Sequence, residues 1–243
     1  MKTERRLTSI DDAKRAAAGA ALAELPDEGI IGLGTGTTAR YFLEALSDAI
    51  RRGRRFVGVP TSMETRRHAC ELDIPLLDDA GPWDIAVCVD GADEVDPRLD
   101  LIKGGGGAHT REKLVGASAR KNVIIVDASK LSSRLGDRSP VPVEVLAFAH
   151  LATARHLEPL GSPSLRSRDG VPFRTDDGNL IYDLGCGPVL DPATLDRAIR
   201  RIPGVVETGL FVGRADVVLI ARESGIERRV RGMEDAPRVT LGM

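Results

Sequence analysis

Four short segments of this 243-residue chain gather side chains that can do chemistry. The first, Gly32-Leu33-Gly34-Thr35-Gly36-Thr37-Thr38, joins glycines, which let backbone approach a ligand, to hydroxyls suited to a phosphate. No Gly-Lys-Ser/Thr follows, so it is not a Walker loop, and Thr38 stands where a dinucleotide fingerprint has its last glycine. Taken alone, it reads equally well as a tight turn with a threonine capping a helix. Val59-Pro60-Thr61-Ser62 offers a second hydroxyl pair, for which helix capping by Ser62 is the better reading. Asp90-Gly91-Ala92-Asp93-Glu94-Val95-Asp96 crowds four carboxylates into seven residues. They repel one another unless something positive or protic meets them. Read locally, the segment is an acidic turn or a divalent-metal loop, although EF-hand spacing fails after Asp96. The last segment, Lys103 to Lys113, holds four consecutive glycines, which lose much backbone freedom on ordering. Glu112 within it is by position an ordinary helix-dipole partner, and a lone loop histidine such as His109 is more often incidental than an acid or base.

The intervening elements must place these loops. Ser9–Leu25 reads as a helix opened by a Ser9…Asp12 capping box. Ile30–Leu33 reads as a buried strand, and Phe42, Leu43, Leu46 and Ile50 recur at helical spacing after Ala39. Strand Phe56–Val59, helix Ser62–Cys70, strand Ile85–Val89, helix Arg111–Ala119 and strand Val123–Val126 continue the alternation. This pattern predicts an α/β fold: a Rossmann-like, mostly parallel sheet with helices on both faces. Ligands of such sheets sit at the carboxyl ends of strands, where all four loops fall. After Leu131 prolines punctuate shorter runs. Strands Val141–Val145 and Asn179–Asp183 and helices Thr153–Leu157 and Thr194–Ile199 suggest a small inserted α+β domain over 135–207. It would interrupt a catalytic domain of 1–134 and 208–231, to whose sheet Val217–Ala221 returns. The chain after Glu223 is charged and broken by Pro and Gly, and the end of the tail 232–243 is expected to be loosely ordered.

Bulk properties narrow the partners. A 42% hydrophobic content supports a sizeable core, and a net charge of -2 gives no general attraction to nucleic acid or an anionic membrane. Any anion site must therefore be local. Cys70, Cys88 and Cys186 form no C-x-x-C pair and have no histidine at zinc-ligand spacing; an odd count points to reduced thiols. The N-terminus lacks a signal-peptide apolar stretch and no apolar run is long enough to span a bilayer, so a cytoplasmic location is expected.

Together the loops resemble the type A ribose-5-phosphate isomerase family over nearly the whole chain. Gly32–Ala39 matches its phosphate loop, with Thr37 where Ser is common, and Asp90–Asp96 and Lys103–Lys113 match its two catalytic loops. Further matches are Asp127-Ala-Ser-Lys130, Pro142-Val-Glu144-Val, Thr175-Asp-Asp-Gly-Asn179 and Pro203–Phe211. The resemblance implies an aldose–ketose isomerase that passes ribose 5-phosphate to ribulose 5-phosphate through an enediolate, in the non-oxidative branch of the pentose phosphate pathway, without cofactor or metal. It implies Glu112 as general base, Lys103 as the cation on the developing oxyanion, and Asp90 and Asp93 on sugar hydroxyls, with Asp90 assisting ring opening. Gly91, Ala92, Gly104, Gly105 and Gly106 would line the sugar, and Thr35, Gly36, Thr37, Thr38, Lys14 and Lys130 would hold the phosphate end. A homodimer or homotetramer is expected. His109, where the family usually has an apolar residue, and the basic run Arg66-Arg67-His68 depart from the pattern without touching a matched catalytic position.

Three rivals share parts of this equipment. The nearest enzyme rival is a related aldose–ketose isomerase or a glucosamine-6-phosphate deaminase, the deaminase being disfavoured by the glycine loop between Lys103 and Glu112, and nothing points independently to an acyl-CoA transferase. A non-catalytic sugar-phosphate-sensing module of the same fold would carry a helix-turn-helix and shed catalytic residues. Here the pattern begins near the N-terminus and keeps both Lys103 and Glu112.

Overall fold

The computed structural model describes residues 9–232. The helix α1 (Ile10–Ala21), strand β1 (Glu28–Leu33), helix α2 (Thr37–Arg51), strand β2 (Arg55–Pro60), helix α3 (Met63–Glu71) and strand β3 (Ile85–Asp90) alternate as the sequence predicts. Two short strands, β4 (Glu94–Val95) and β5 (Leu101–Ile102), precede α4 (His109–Ala117) and β6 (Asn122–Asp127). Then come β7 (Val141–Val145), α5 (His150–Leu157), β8 (Ser162–Leu165), β9 (Ser167–Arg168), β10 (Val171–Pro172) and β11 (Leu180–Gly185). The chain closes with α6 (Pro192–Arg200), β12 (Val205–Thr208), β13 (Leu210–Phe211), β14 (Val217–Arg222) and β15 (Gly225–Val230).

The chain forms two compact units. Among the described residues, the first takes in 9–91, Leu114–Lys130 and 215–232; the second is Ala92–Lys113 with Leu131–Arg214. The first unit is a six-stranded sheet in the order β15-β14-β6-β3-β1-β2, parallel except for the β14–β15 hairpin. Alternate strand residues point to opposite faces. Ile31, Leu33, Val87, Val89 and Val123 pack with Phe42 and Leu46 of α2 and the alanines of α1. Val59, Ile85 and Cys88 pack instead with Val115 of α4, so both faces are covered and the strands read as continuous apolar runs. The expected caps form: the Ser9 hydroxyl accepts from the Asp12 N–H, and that of Ser62 from the Thr65 N–H. The cap of α2 is not a threonine. Gly36, at φ 106°, occupies the N-cap position and supplies no side-chain acceptor.

The second unit is built on an antiparallel sheet, β12-β7-β11-β8, with a three-stranded sheet β13-β5-β4 and the small β9–β10 ribbon. Val141, Val143, Leu157, Leu184 and Ile199 lie in its core. The α5 helix begins three residues before its periodic apolar pattern, at His150. Residues 225–230, read from sequence as part of a charged tail, form an edge strand whose Glu227 pairs with its own Arg229 and with Arg222 of β14. The end of the tail lies outside the described residues. Among these, no helix is long and apolar enough to cross a membrane.

Candidate active site

In the first unit, the loops after β1, β2 and β3 meet through hydroxyls and one buried carboxylate. The Thr35 hydroxyl lies 2.8 Å from that of Thr61, 2.9 Å from Ser62 Oγ and 3.1 Å from Thr65 Oγ1. The Thr61 hydroxyl donates to the Leu33 carbonyl and that of Thr65 to Gly34. Asp90 Oδ1 accepts from the Thr35 N–H at 3.1 Å and the Gly91 N–H at 2.7 Å. A Cβ at Gly34 would collide with this carboxylate, so glycine there is a packing requirement. Thr35 is thereby turned inward, its hydroxyl and N–H both engaged. The first turn of α2, starting at Gly36, Thr37 and Thr38, has no side-chain acceptor and presents the positive end of a 15-residue helix, a natural anion site. Lys14 on α1 is half-buried. Lys130 ends a turn in which Asp127 Oδ1 accepts from the Ser129 N–H. A cleft of about 180 Å³ opens beside Gly34 and Gly36, and its lining mixes Arg40, Arg67 and His68 with Glu64 and Glu71. Arg66, one of the unusual basic residues of α3, pairs with Asp79.

In the second unit, Lys103 Nζ lies 3.1 Å from Glu112 Oε2, and both side chains are about 95% buried, at 4% and 6% exposure. Lys103 follows β5, and its N–H donates to the Gly209 carbonyl. Glu112 stands in the first turn of α4, four residues after Ala108, whose carbonyl accepts its N–H. The glycine loop bridges the two. Gly104, at φ 108°, needs glycine twice over, because a Cβ there would also lie 2.7 Å from His109 Nδ1. Asp93 Oδ2 accepts the Gly105 N–H at 2.7 Å.

The acidic segment owes its carboxylate density to backbone donors. Glu94 Oε2 accepts from the N–H groups of Gly136 and Ser139, and Asp96 Oδ1 from those of Arg98 and Asp100. Burial, offset in part by these bonds, holds the Asp96 carboxyl above the usual range. Among the described residues no group of three or more His, Cys, Asp or Glu is placed to hold a metal ion.

Three polar residues that the sequence left without a role are buried around α4. His109 is fully buried, and burial, followed by the charges of Lys113 and Arg166, pushes its imidazole down to about 3. It is a neutral filler beneath Gly104 at ordinary pH. Lys113 donates to Glu207 at 2.9 Å and to the carbonyls of Thr208 and Leu210, and sits 4.6 Å from the Phe211 ring centroid. With its three donors spent, it clamps the β12–β13 turn to α4. Burial pushes its ammonium down to about 8, against the opposing pull of Glu207. Glu144, inside the matched Pro142–Val145 motif, accepts from Thr110, Thr175 and Asn179, so the motifs at 142–145 and 175–179 are one hydrogen-bonded unit supporting the start of α4. Only motif matching signals this in the sequence. An inward-facing Lys113 has no periodic signature.

A carboxylate beside an ammonium in a dry setting, on a chain that also carries a Rossmann-like sheet with a hydroxyl-lined helix start, is the equipment of an α/β sugar-phosphate isomerase. Comparison with known proteins makes the assignment specific. Residues 57–225 match the family described as Ribose 5-phosphate isomerase A (phosphoriboisomerase A). A relative from Gloeobacter violaceus named ribose-5-phosphate isomerase A is 48% identical over 220 residues, 90% of this chain and 96% of its own. One of the same name from a Roseiflexus species is 52% identical over 202 residues, covering 81% and 86%. The solved ribose 5-phosphate isomerase A of Methanocaldococcus jannaschii superposes with a TM-score of 0.87 at 38% identity, covering 91% of this chain and all of that one. A D-ribose-5-phosphate isomerase solved in complex with phospho-erythronic acid gives 0.89 at 38% identity, covering 92% and 100%. The chain belongs to the ribose 5-phosphate isomerase A family and is an isomerase.

Proposed function

We propose that this enzyme interconverts D-ribose 5-phosphate and D-ribulose 5-phosphate through an enediolate, with Glu112 moving the carbon-bound proton and Lys103 balancing the developing oxyanion. The observation that carries these roles is the buried Lys103–Glu112 pair, 3.1 Å apart and held on separate elements. In the aldose, the Glu112 carboxylate takes the proton from C2. The electron pair moves through the new C1–C2 double bond to the C1 oxygen, where a fixed ammonium stabilises the charge. The Glu112 carboxylic acid then returns the proton to C1. The hydroxyl proton leaves O2 and one is gained at O1, so that the carbonyl ends at C2. Asp90 and Asp93 bind sugar hydroxyls, and Asp90 moves a hydroxyl proton as the ring opens. Gly91, Ala92 and Gly104 to Gly106 line the sugar.

The phosphate is assigned to the first turn of α2, at Gly36, Thr37 and Thr38, with Lys130 and Lys14 supplying charge. Thr35 supports the site by orienting Asp90. The phospho-erythronic acid bound in one similar structure fits this reading. It is a phosphorylated four-carbon acid whose planar carboxylate offers two oxygens much as an enediolate does.

The direct test is formation of ribulose 5-phosphate from ribose 5-phosphate by the purified chain, which is expected to proceed at the same rate after exhaustive EDTA treatment. A rate that vanishes with chelator and returns with a divalent ion would make Asp90, Asp93 and Asp96 metal ligands. A folded chain that binds ribose 5-phosphate without turning it over would act as a sensor. Lys130→Ala is expected mainly to raise KM, because a phosphate contact kept equally in ground and transition states contributes to binding more than to turnover. A fall in kcat at constant KM would move Lys130 into the chemistry.

We also propose a cytoplasmic homodimer or homotetramer. Leu146, Phe148 and Leu151 of the second unit, exposed at 48%, 88% and 72%, are apolar surface suited to a self-interface. A monomer by light scattering at micromolar concentration would overturn the assembly.

A further inference from the structure

The glycine loop has no side chains with which to fix itself, so the direction of each of its peptides must be set by outside partners. One peptide is held at both ends. The carbonyl of Gly104 accepts from Arg166 Nη1 at 2.7 Å, and the N–H of Gly105, in the same peptide plane, donates to Asp93 Oδ2 at 2.7 Å. The same Arg166 nitrogen reaches the Gly105 carbonyl at 3.3 Å. The guanidinium is itself oriented by Asp183 of β11, which accepts from Nε at 2.9 Å and also from Nη2. Arg166 is anchored in the sheet, its N–H bonded to the Ile181 carbonyl and its own carbonyl to the Phe173 N–H. Its side chain is 15% exposed and that of Asp183 24%. The result is a rigid fork standing on an antiparallel sheet, gripping the Gly104–Gly105 peptide, the second after Lys103.

We propose that Arg166, oriented by Asp183, is a positioning residue for the isomerisation. It fixes the Gly104–Gly105 peptide and, through it, the direction in which Lys103 and Asp93 face the sugar. This rests on the isomerase reading above. Arginine suits the role better than lysine, because its planar donors engage a carboxylate on one side and carbonyls on the other at the same time. Removing the fork returns freedom to a run of four glycines. A misplacement of about 1 Å at a reacting group costs about 10²-fold in rate.

The test compares Arg166→Met, Arg166→Lys and Asp183→Asn with the native enzyme. Arg166→Met is expected to lower kcat about 30- to 100-fold with KM changed less than about threefold, and Asp183→Asn to lower kcat by a smaller factor. Arg166→Lys, whose single nitrogen lacks the planar fork that spans Asp183 and the loop carbonyls, is expected to resemble Arg166→Met more than the native enzyme. Millimolar guanidinium should restore part of the turnover of Arg166→Ala, a rescue that a merely structural ion pair would not give. Hydrogen–deuterium exchange read on peptides spanning 101–108 should rise in these variants while the strands of the first unit keep native protection. That readout stands even where isomerase activity is absent, so failure of the pin and failure of the isomerase reading separate. Native kcat in folded Arg166→Met, or unchanged exchange at 101–108, would overturn the proposal. Should Arg166→Met not fold, Asp183→Asn, which keeps size and one acceptor, decides by the same two readouts.

Discussion

Glu112→Gln is expected to lower kcat by about 10²- to 10⁴-fold, the usual contribution of a positioned acid/base, while leaving KM near its native value. The amide keeps the size of the carboxylate and its oxygen can still accept from Lys103, so the substitution removes proton acceptance and the negative charge while keeping the contact. In the native protein the carboxylate lies 3.1 Å from an ammonium and stands in the first turn of α4, where the helix dipole also favours negative charge. Steady-state rates in both directions with ribose and ribulose 5-phosphate would check the effect, and loss of deuterium exchange from C1-labelled ribulose 5-phosphate would assign it to the carbon-bound proton. Turnover within tenfold of native would remove Glu112 from the mechanism.

Lys103→Met is expected to have a comparable effect by a different route. Loss of a preorganised charge at a developing oxyanion costs about 10²–10³ in kcat. The same change leaves a buried carboxylate without its ammonium, and breaking a buried pair in this way costs about 3–5 kcal/mol of stability. Lys103 also lies 5.4 Å from the Phe211 ring centroid, a cation–π contact that methionine replaces only with apolar packing. The two substitutions therefore separate. Both lose the buried pair, but the amide oxygen in Glu112→Gln can still accept from the ammonium whereas methionine offers Glu112 nothing, so Glu112→Gln should lose less stability in urea than Lys103→Met. A Lys103→Met enzyme with native kcat would leave the oxyanion to another donor.

Much of the first unit is legible in local sequence because its physics is local. Apolar strand runs alternate with helical spacing, Ser9 and Ser62 cap the helices they precede, and β14 returns to the sheet beside β6. Where local pattern misleads, a contact distant in sequence is responsible. Thr35 looks like a cap or a phosphate ligand, yet the Thr61–Thr65 hydroxyls and Asp90 turn it inward. The segment 225–230 looks like a charged tail, yet Glu227 pairs with Arg229 and with Arg222 of β14, and Arg228 pairs with Glu24, as the segment closes a β-hairpin.

The candidate site divides in the same way. The sequence by itself determined the residue types: a lysine, four glycines and a glutamate in one loop, clustered carboxylates after a strand, and a glycine–hydroxyl turn before a helix. Those choices are set by chemistry and backbone freedom, which are local. Only the tertiary structure decided that Lys103 and Glu112, nine positions apart across a glycine run, face each other in a buried pair. It also decided that Ala92–Lys113 folds with the second unit, and that Lys113 and Arg166 each divide their donors between a carboxylate and backbone carbonyls. A side chain's direction and dielectric surroundings depend on which distant segments close over it. In a chain whose charged residues are mostly solvated, spacing alone does not distinguish the few that are buried.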